Sequence, residues 1–117
     1  FPILALILSP KKHYMFIYNV TTHVEPNIES RWLEWMNEEH IPQMIQTGKF
    51  KKAIIFKVIT ENDSGGISYA TQYHCSDRTA FERYQKEDAD RLKKHALDKF
   101  GERILSFRTE LEQIIVL

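Results

Sequence analysis

Hydrophobic and polar positions alternate along four short segments of the chain, and a period of two is typical of β-strands with one buried face. The pattern predicts strands over residues 15–24, 50–60, 67–75 and 104–117. Two further segments, from Ile28 to about Glu39 and from Asp77 to Phe100, carry apolar side chains at helical spacing. The predicted order of elements is therefore β-α-β-β-α-β.

This order is that of the ferredoxin-like split motif, in which two helices cover one face of a four-stranded antiparallel sheet. The sequence thus predicts an α+β fold. The uncovered face must meet water, a ligand or a partner. Because the strand over 50–60 is apolar on both of its sides, we expect two sheets to pack face to face in a homodimer, as a dimeric α/β barrel.

The end of the first helix contains the stretch "EEHIPQM", which begins at Glu38. Pro42 disfavours helical geometry at the preceding Ile41, so we expect a break there and a short second helix from Pro42 to Gln46. His40 has two interpretations. It interacts favourably with the helix dipole at the carboxyl end of the helix, or it is a functional residue at the mouth of a barrel.

Length and composition restrict the class of protein. The chain has 117 residues, which predicts one domain over residues 15–117. We interpret residues 1–14 as an N-terminal extension, too short in its apolar part to cross a bilayer and without the basic segment of a signal peptide. The net charge is zero, which disfavours nucleic acid and membrane as partners. The single cysteine excludes an internal disulfide framework and favours a cytoplasmic location.

Alternation also predicts a polar face of the sheet. The residues that we expect on it, and to which we assign ligand binding, are Asn19, Thr21, His23, Gln72, His74 and Arg108. A histidine there would suit acid–base chemistry near neutral pH, and Arg108 would hold a carboxylate or an enolate, unless it pairs with Glu110. The candidate catalytic residues are His23, His40, His74 and Arg108.

Several other site types lack support in the sequence. No metal-ligand motif or phosphate loop occurs, so we expect neither a metal nor a cofactor, and we interpret Cys75 as a small buried residue. An RNA-binding domain of the RRM type shares this topology, and Phe16 stands where its first stacking aromatic would lie. The third strand departs from the RRM motif, however, and the net charge is zero.

The segments "MFIYNVT", "WLEWMNEEHIP", "TGKF", "YATQY", "KFGERI" and "SFRTELE" together resemble the DUF4286 family of small bacterial proteins of unknown function. The resemblance covers roughly residues 15–114. It implies a fold similar to that of dimeric α/β-barrel proteins, among them cofactor-free monooxygenases and muconolactone-isomerase-like enzymes. Fold likeness of this kind implies no particular reaction.

Three functions follow as hypotheses, besides RNA binding. The first is a homodimeric barrel that binds a small apolar or aromatic molecule. The second is a cofactor-independent enzyme of the monooxygenase or isomerase kind, which requires a histidine and Arg108 to line one cavity. The third is a structural or interaction module with no cavity.

Overall fold

Four antiparallel strands form one sheet in the computed structural model, which describes residues 15–59 and 65–117. The strands are β1 (Phe16–Val24), β2 (Lys52–Lys57), β3 (Ile67–Cys75) and β4 (Ile104–Glu112), and their order across the sheet is β2-β3-β1-β4. This is the ferredoxin-like order, so the predicted α+β fold is confirmed. The proposed extension over residues 1–14 lies outside the described residues.

Helices connect the strands and lie on one face of the sheet. They are α1 (Glu29–Trp35), a π-helical turn (Met36–His40), α2 (Ile41–Gln46), α3 (Arg78–Glu87) and α4 (Ala89–Phe100), with short 3-10 turns at Pro26–Ile28 and Gly101–Arg103. In neither described range is a helix long and apolar enough to span a bilayer.

The helix break expected before Pro42 does not occur. The chain passes from α1 to α2 through the π-helical turn, in which the amide of Ile41 donates to the carbonyl of Met36, five residues earlier. Proline has no N–H to offer in an α-helix, and its ring crowds the carbonyl four residues before it. A wider turn ahead of Pro42 relieves that crowding, so the helix bulges instead of ending.

The second helical segment is divided in two, where the sequence predicted one helix. Asp77 caps α3 by accepting a hydrogen bond from the amide of Ala80 at 2.9 Å. Asp88 then leaves helical geometry, with φ at −129°, and α4 continues to Phe100. Gly101 ends α4 with φ at +55°, a conformation that favours glycine.

The core lies between the helices and the sheet, in two clusters that both contact the partly buried Ile41. Phe16, Tyr18 and Tyr73 bring strand residues to the first cluster. The rings of Phe16 and Tyr18 pack against Phe81 of α3, and the ring of Tyr73 packs against Tyr18 and Phe50. The second cluster joins the other ends of β1 and β3 to α1 and α4; its largest side chains are Trp32, Trp35, Tyr69 and Phe100. Aromatic contacts thus hold the helical layer on the sheet.

Candidate functional site

Strand register assigns the predicted site residues to two opposite faces of the sheet. Asn19 lies opposite Gln72, and the neighbouring pairs Thr21–Ala70 and His23–Ser68 lie on the same side. Residues directly opposite each other in antiparallel strands share a face. Asn19, Thr21, His23, Gln72 and His74 therefore do lie together on the face away from the helices, as predicted; we call it the open face.

Arg108 does not belong to the open face, and this part of the prediction is wrong. It lies opposite Val20 on β1, and Glu110 lies opposite Tyr18, so both point to the helical side. The residues of β4 that lie on the open face are Leu105, Phe107, Thr109 and Leu111. The interpretation failed because the apolar residues of this edge strand lie on the side that the helices leave uncovered.

The open face is polar along its centre and apolar along both edges. Leu105 and Phe107 on β4 are 58% and 60% exposed, and Ile54 and Phe56 on β2 are 38% and 47% exposed. Between them, Asn19 donates to Thr21 Oγ1 at 3.1 Å. No Phe, Tyr or Trp side chain of β1 or β3 lies on this face. Those of the two strands, Phe16, Tyr18, Tyr69 and Tyr73, are buried under the helices. The stacking role considered for Phe16 is therefore wrong.

His23 is held in place on the open face by its neighbours on β3. Its Nδ1 lies 3.1 Å from Ser68 Oγ. A Cβ atom at residue 66 would lie only 2.8 Å from the carbonyl oxygen of Val24 and would collide with the His23 ring, so only glycine fits there. These contacts explain the position of the His23 ring by packing alone, without a ligand.

A small cavity lies on the other side of the sheet, between β1, β3, β4 and the helices. Its volume is about 40 Å³. Arg108, Tyr18 and Thr71 line it from the sheet, and Trp35 and His40 line it from the helical side. Of the four candidate catalytic residues, the fold thus brings His40 and Arg108 to one cavity and leaves His23 and His74 on the open face.

The π-helical turn ends at His40 and delivers its ring to the cavity. The imidazole stacks on the indole of Trp35, with ring centres 4.7 Å apart and planes inclined by 20°. Burial, together with the nearby His95 and the Arg108 guanidinium, lowers the pKa of His40 to about 4. The ring is therefore neutral at pH 7, with one nitrogen that donates and one that accepts.

Arg108 brings a cation to the cavity without a carboxylate to neutralise it. Its Nε donates to the hydroxyl of Tyr18 at 3.0 Å, and no carboxylate in the described ranges pairs with it. The Glu110 partner considered for it lies 3.7 Å from Arg78 instead. Burial raises the pKa of Tyr18, Tyr73 and Tyr84, so all three hydroxyls stay protonated at neutral pH.

Two polar atoms of the cavity wall have no hydrogen-bond partner among the described residues: His40 Nδ1 and Thr71 Oγ1. Thr71 is 1% exposed and faces the helices between Tyr69 and Tyr73. Sequence reasoning missed it, although a hydroxyl in an otherwise apolar row of β3 was a signal. Buried polar atoms in folded proteins are almost always paired, so unpaired ones facing a cavity call for a partner.

The described part of the chain contains no group of three or more His, Cys, Asp and Glu side chains positioned to hold a metal ion. Cys75 is buried, and its thiol pKa is raised to about 12 by burial and by Asp77, so it is unsuited to act as a nucleophile.

Comparisons with known proteins agree with this architecture. Among solved structures, a dimeric ferredoxin-like protein from an uncultured marine organism matches with a TM-score of 0.67 and 13% sequence identity, over 89% of this chain and 99% of that one. Comparison with curated proteins gives no match. A family model described as "Domain of unknown function (DUF4286)" matches residues 15–114. The chain therefore belongs to the DUF4286 family, as its motifs indicated.

Proposed function

We propose that the protein binds a small molecule in the cavity between its sheet and its helices. The observation that carries this proposal is the pair of unpaired buried atoms, His40 Nδ1 and Thr71 Oγ1, in one cavity wall. Leaving a buried polar atom without a partner costs about 1–3 kcal/mol. A ligand with a polar group recovers that free energy.

The walls indicate the chemistry of the ligand. Trp32, Trp35, Tyr18 and Tyr73 present aromatic surface, which favours an apolar or aromatic body. Arg108 is more than one-third exposed and has no carboxylate partner among the described residues, so it suits an acidic group at the cavity mouth. The ligand that fits best is a small aromatic or apolar molecule with one anionic group, of which a few non-hydrogen atoms enter the cavity.

Binding is favoured over acid–base catalysis by the pKa of His40. A general base is most effective when its pKa lies near the working pH. With a pKa of about 4, His40 is a weak base at neutral pH but a good neutral donor or acceptor. His23 and His74, the other candidate bases, lie across the sheet from Arg108.

We also infer that a second copy of the chain packs on the apolar side chains that β2 and β4 present on the open face. The apolar side chains at both edges of that face are 38–60% exposed in one chain, and burying them would supply the driving force for association. The similar ferredoxin-like protein is described as dimeric. Two sheets packed in this way form the dimeric α/β barrel that the sequence predicted, with one helix-side cavity in each protomer.

The ligand proposal is tested by titrating the protein with benzoate and, as the neutral comparison, benzamide. Two-dimensional NMR should show saturable shifts of the Trp35 indole N–H and the His40 ring with benzoate, at lower concentration than with benzamide. His40→Gln should weaken the response, while His23→Gln, a histidine on the open face, should not. A response that never saturates, or that is equal in both variants, would contradict the proposal. Native mass spectrometry of the purified protein then shows what the cell supplies as ligand.

A further inference from the structure

His74, near the end of β3, has no hydrogen-bond partner in the described structure although it is buried. The side chain lies on the open face and is 9% exposed, and both Nδ1 and Nε2 are buried and unpaired among the described residues. A neutral imidazole always carries one donor and one acceptor, so both functions are left unsatisfied. Such a ring in a folded protein implies a partner from outside.

Two lysines lie beside this ring without ion pairs in the described ranges. Lys52 is directly opposite His74 in the register of β2 and β3. The amide of the preceding Lys51 donates to the carbonyl of His74 at 2.8 Å, which fixes the start of β2 against the end of β3. In the same "GKFKK" stretch, Lys49 is engaged by Glu87 and Asp88. The positive charge of Lys51 and Lys52 has no such neutralising partner.

A surface pocket of about 280 Å³ opens at this corner of the sheet, lined by Met15, Lys51, Lys52, His74, Cys75 and Ser76. The side chains of two lysines, one histidine and one serine therefore line the same pocket. The nearest acidic side chain in the sequence, Asp77, has Oδ1 bound to the amide of Ala80 at the start of α3. The pocket thus combines a local positive charge with several donors of different kinds.

We propose that Lys51, Lys52 and His74 form a binding site for a phosphate group, separate from the cavity between sheet and helices. A phosphate group carries up to two negative charges and offers at least three acceptor oxygens, so it matches two ammonium groups and an imidazole better than a carboxylate, with its single charge and two oxygens, does. An ammonium group binds phosphate as a point charge and needs no fixed geometry, which suits two exposed lysines. The buried imidazole supplies the directional contact.

The charges around His74 should make phosphate binding at this site depend on pH. Burial, and then the charge of Lys52, lower the pKa of His74. A bound phosphate would reverse the effect of Lys52 and stabilise the protonated ring. Phosphate should therefore raise the pKa of His74, and by linkage the affinity for phosphate should increase as the pH falls through that pKa.

The test is a titration with inorganic phosphate at constant ionic strength, followed by NMR through the ring signals of His74 where it is present and through the backbone amide signals of β3 in every variant. We expect saturable shifts at millimolar concentration and binding at least threefold weaker in Lys52→Met and in His74→Asn. Lys57→Met is the matched control, because Lys57 is an exposed lysine of the same strand but points to the helical face. Far-UV circular dichroism verifies that each variant is folded.

Two further binding measurements identify the source of the phosphate group. Glycerol 3-phosphate binding more tightly than inorganic phosphate would indicate a small phosphomonoester, and binding only to vesicles that contain phosphatidic acid would indicate a lipid headgroup. Shifts that are absent, or equal in Lys52→Met and Lys57→Met, would overturn the proposal. So would His74 signals that depend on protein concentration and not on phosphate, because the partner of the ring would then be a second copy of the chain.

Discussion

The ring of His40 lies flat against the indole of Trp35, 4.7 Å from centre to centre, at the point where the π-helical turn meets α2. Turns of this kind are rare and occur frequently at functional sites. Here the turn has a direct structural effect, because the residue that ends it is the one that faces the cavity together with Arg108. Trp35 covers one face of the ring.

This shielding predicts how stability depends on pH. The pKa of His40 is about 4 in the folded chain and 6.5 when unperturbed. Between these values the unfolded chain binds a proton that the folded chain does not, so the free energy of unfolding falls as the pH drops from about 6.5 to about 4. Since one pH unit corresponds to about 1.4 kcal/mol, the loss reaches about 3 kcal/mol.

Urea unfolding at pH 7.0, 5.5 and 4.0 measures this effect as a difference between wild type and His40→Gln. The wild type should lose about 3 kcal/mol more than the variant over this range, while the carboxyl groups that titrate in the same range contribute equally to both. Parallel profiles for wild type and His40→Gln would show that His40 has the same pKa in the folded and the unfolded chain.

Two buried threonines give a matched test of the cavity wall. Thr22 Oγ1 lies 3.0 Å from Ser106 Oγ, whereas Thr71 Oγ1 has no partner among the described residues. Thr22→Val should lower the free energy of unfolding by about 1 kcal/mol, because it leaves Ser106 unpaired, and Thr71→Val should leave it unchanged or raise it by up to about 1 kcal/mol.

Chemical denaturation of both variants, with and without benzoate, separates stability from binding. Stabilisation by benzoate should be smaller in Thr71→Val than in Thr22→Val, because only the former removes an unpaired hydroxyl of the cavity wall. If Thr71→Val destabilises the protein as much as Thr22→Val does, its hydroxyl has a partner in the unliganded protein, and the observation behind the proposed function is lost.

The fold was predictable from the sequence because its signals are local. The alternation of β1 and β3 is strong, Asp77 and Gly101 mark the ends of a helical segment, and the element order selects one common topology. The π-helical turn was not predictable in the same way. Pro42 shows that regular helical geometry is disturbed, but whether the chain breaks or bulges depends on the packing of Trp35 and His40 in the assembled core.

The candidate site was predictable only in part, because it depends on the register of distant strands. Alternation shows that Phe107, Thr109 and Leu111 share one side of β4, but not which face of the sheet that side joins. Pairing of Val20 with Arg108 decides it. The prediction assumed that the apolar side of β4 is buried under the helices. That side is exposed on the open face, so Arg108 was assigned to the wrong face.

The cation at the cavity mouth should act on binding and little on folding. Arg108 is exposed and makes one hydrogen bond, to Tyr18, so Arg108→Gln should change the free energy of unfolding by less than about 1 kcal/mol. Its removal should weaken benzoate binding about tenfold or more, as expected for the loss of a charged partner. Because the guanidinium holds the pKa of Tyr18 down, that pKa should rise in the variant.

Isothermal titration calorimetry with benzoate and ultraviolet titration of the tyrosines measure the two effects. Arg83→Gln is the control, because Arg83 is an exposed arginine on α3 that pairs with Glu87 and does not line the cavity. Equal affinities in Arg108→Gln and Arg83→Gln would exclude Arg108 from the ligand site, even if benzoate still binds elsewhere in the cavity.

Association through the open face is tested with two equally exposed apolar residues on opposite sides of the molecule. Phe107 is 60% exposed on the open face, and Leu97 is 64% exposed on α4. A charge buried between two sheets without a partner is strongly unfavourable, so Phe107→Asp should convert a dimer to a monomer. Leu97→Asp should leave the dimer intact, because it adds charge to a surface that stays in water.

Sedimentation equilibrium at micromolar concentration distinguishes the masses of the monomer and the dimer. A wild-type protein that sediments as a monomer, or a dimer that Leu97→Asp dissociates and Phe107→Asp does not, would show that the open face is not the interface.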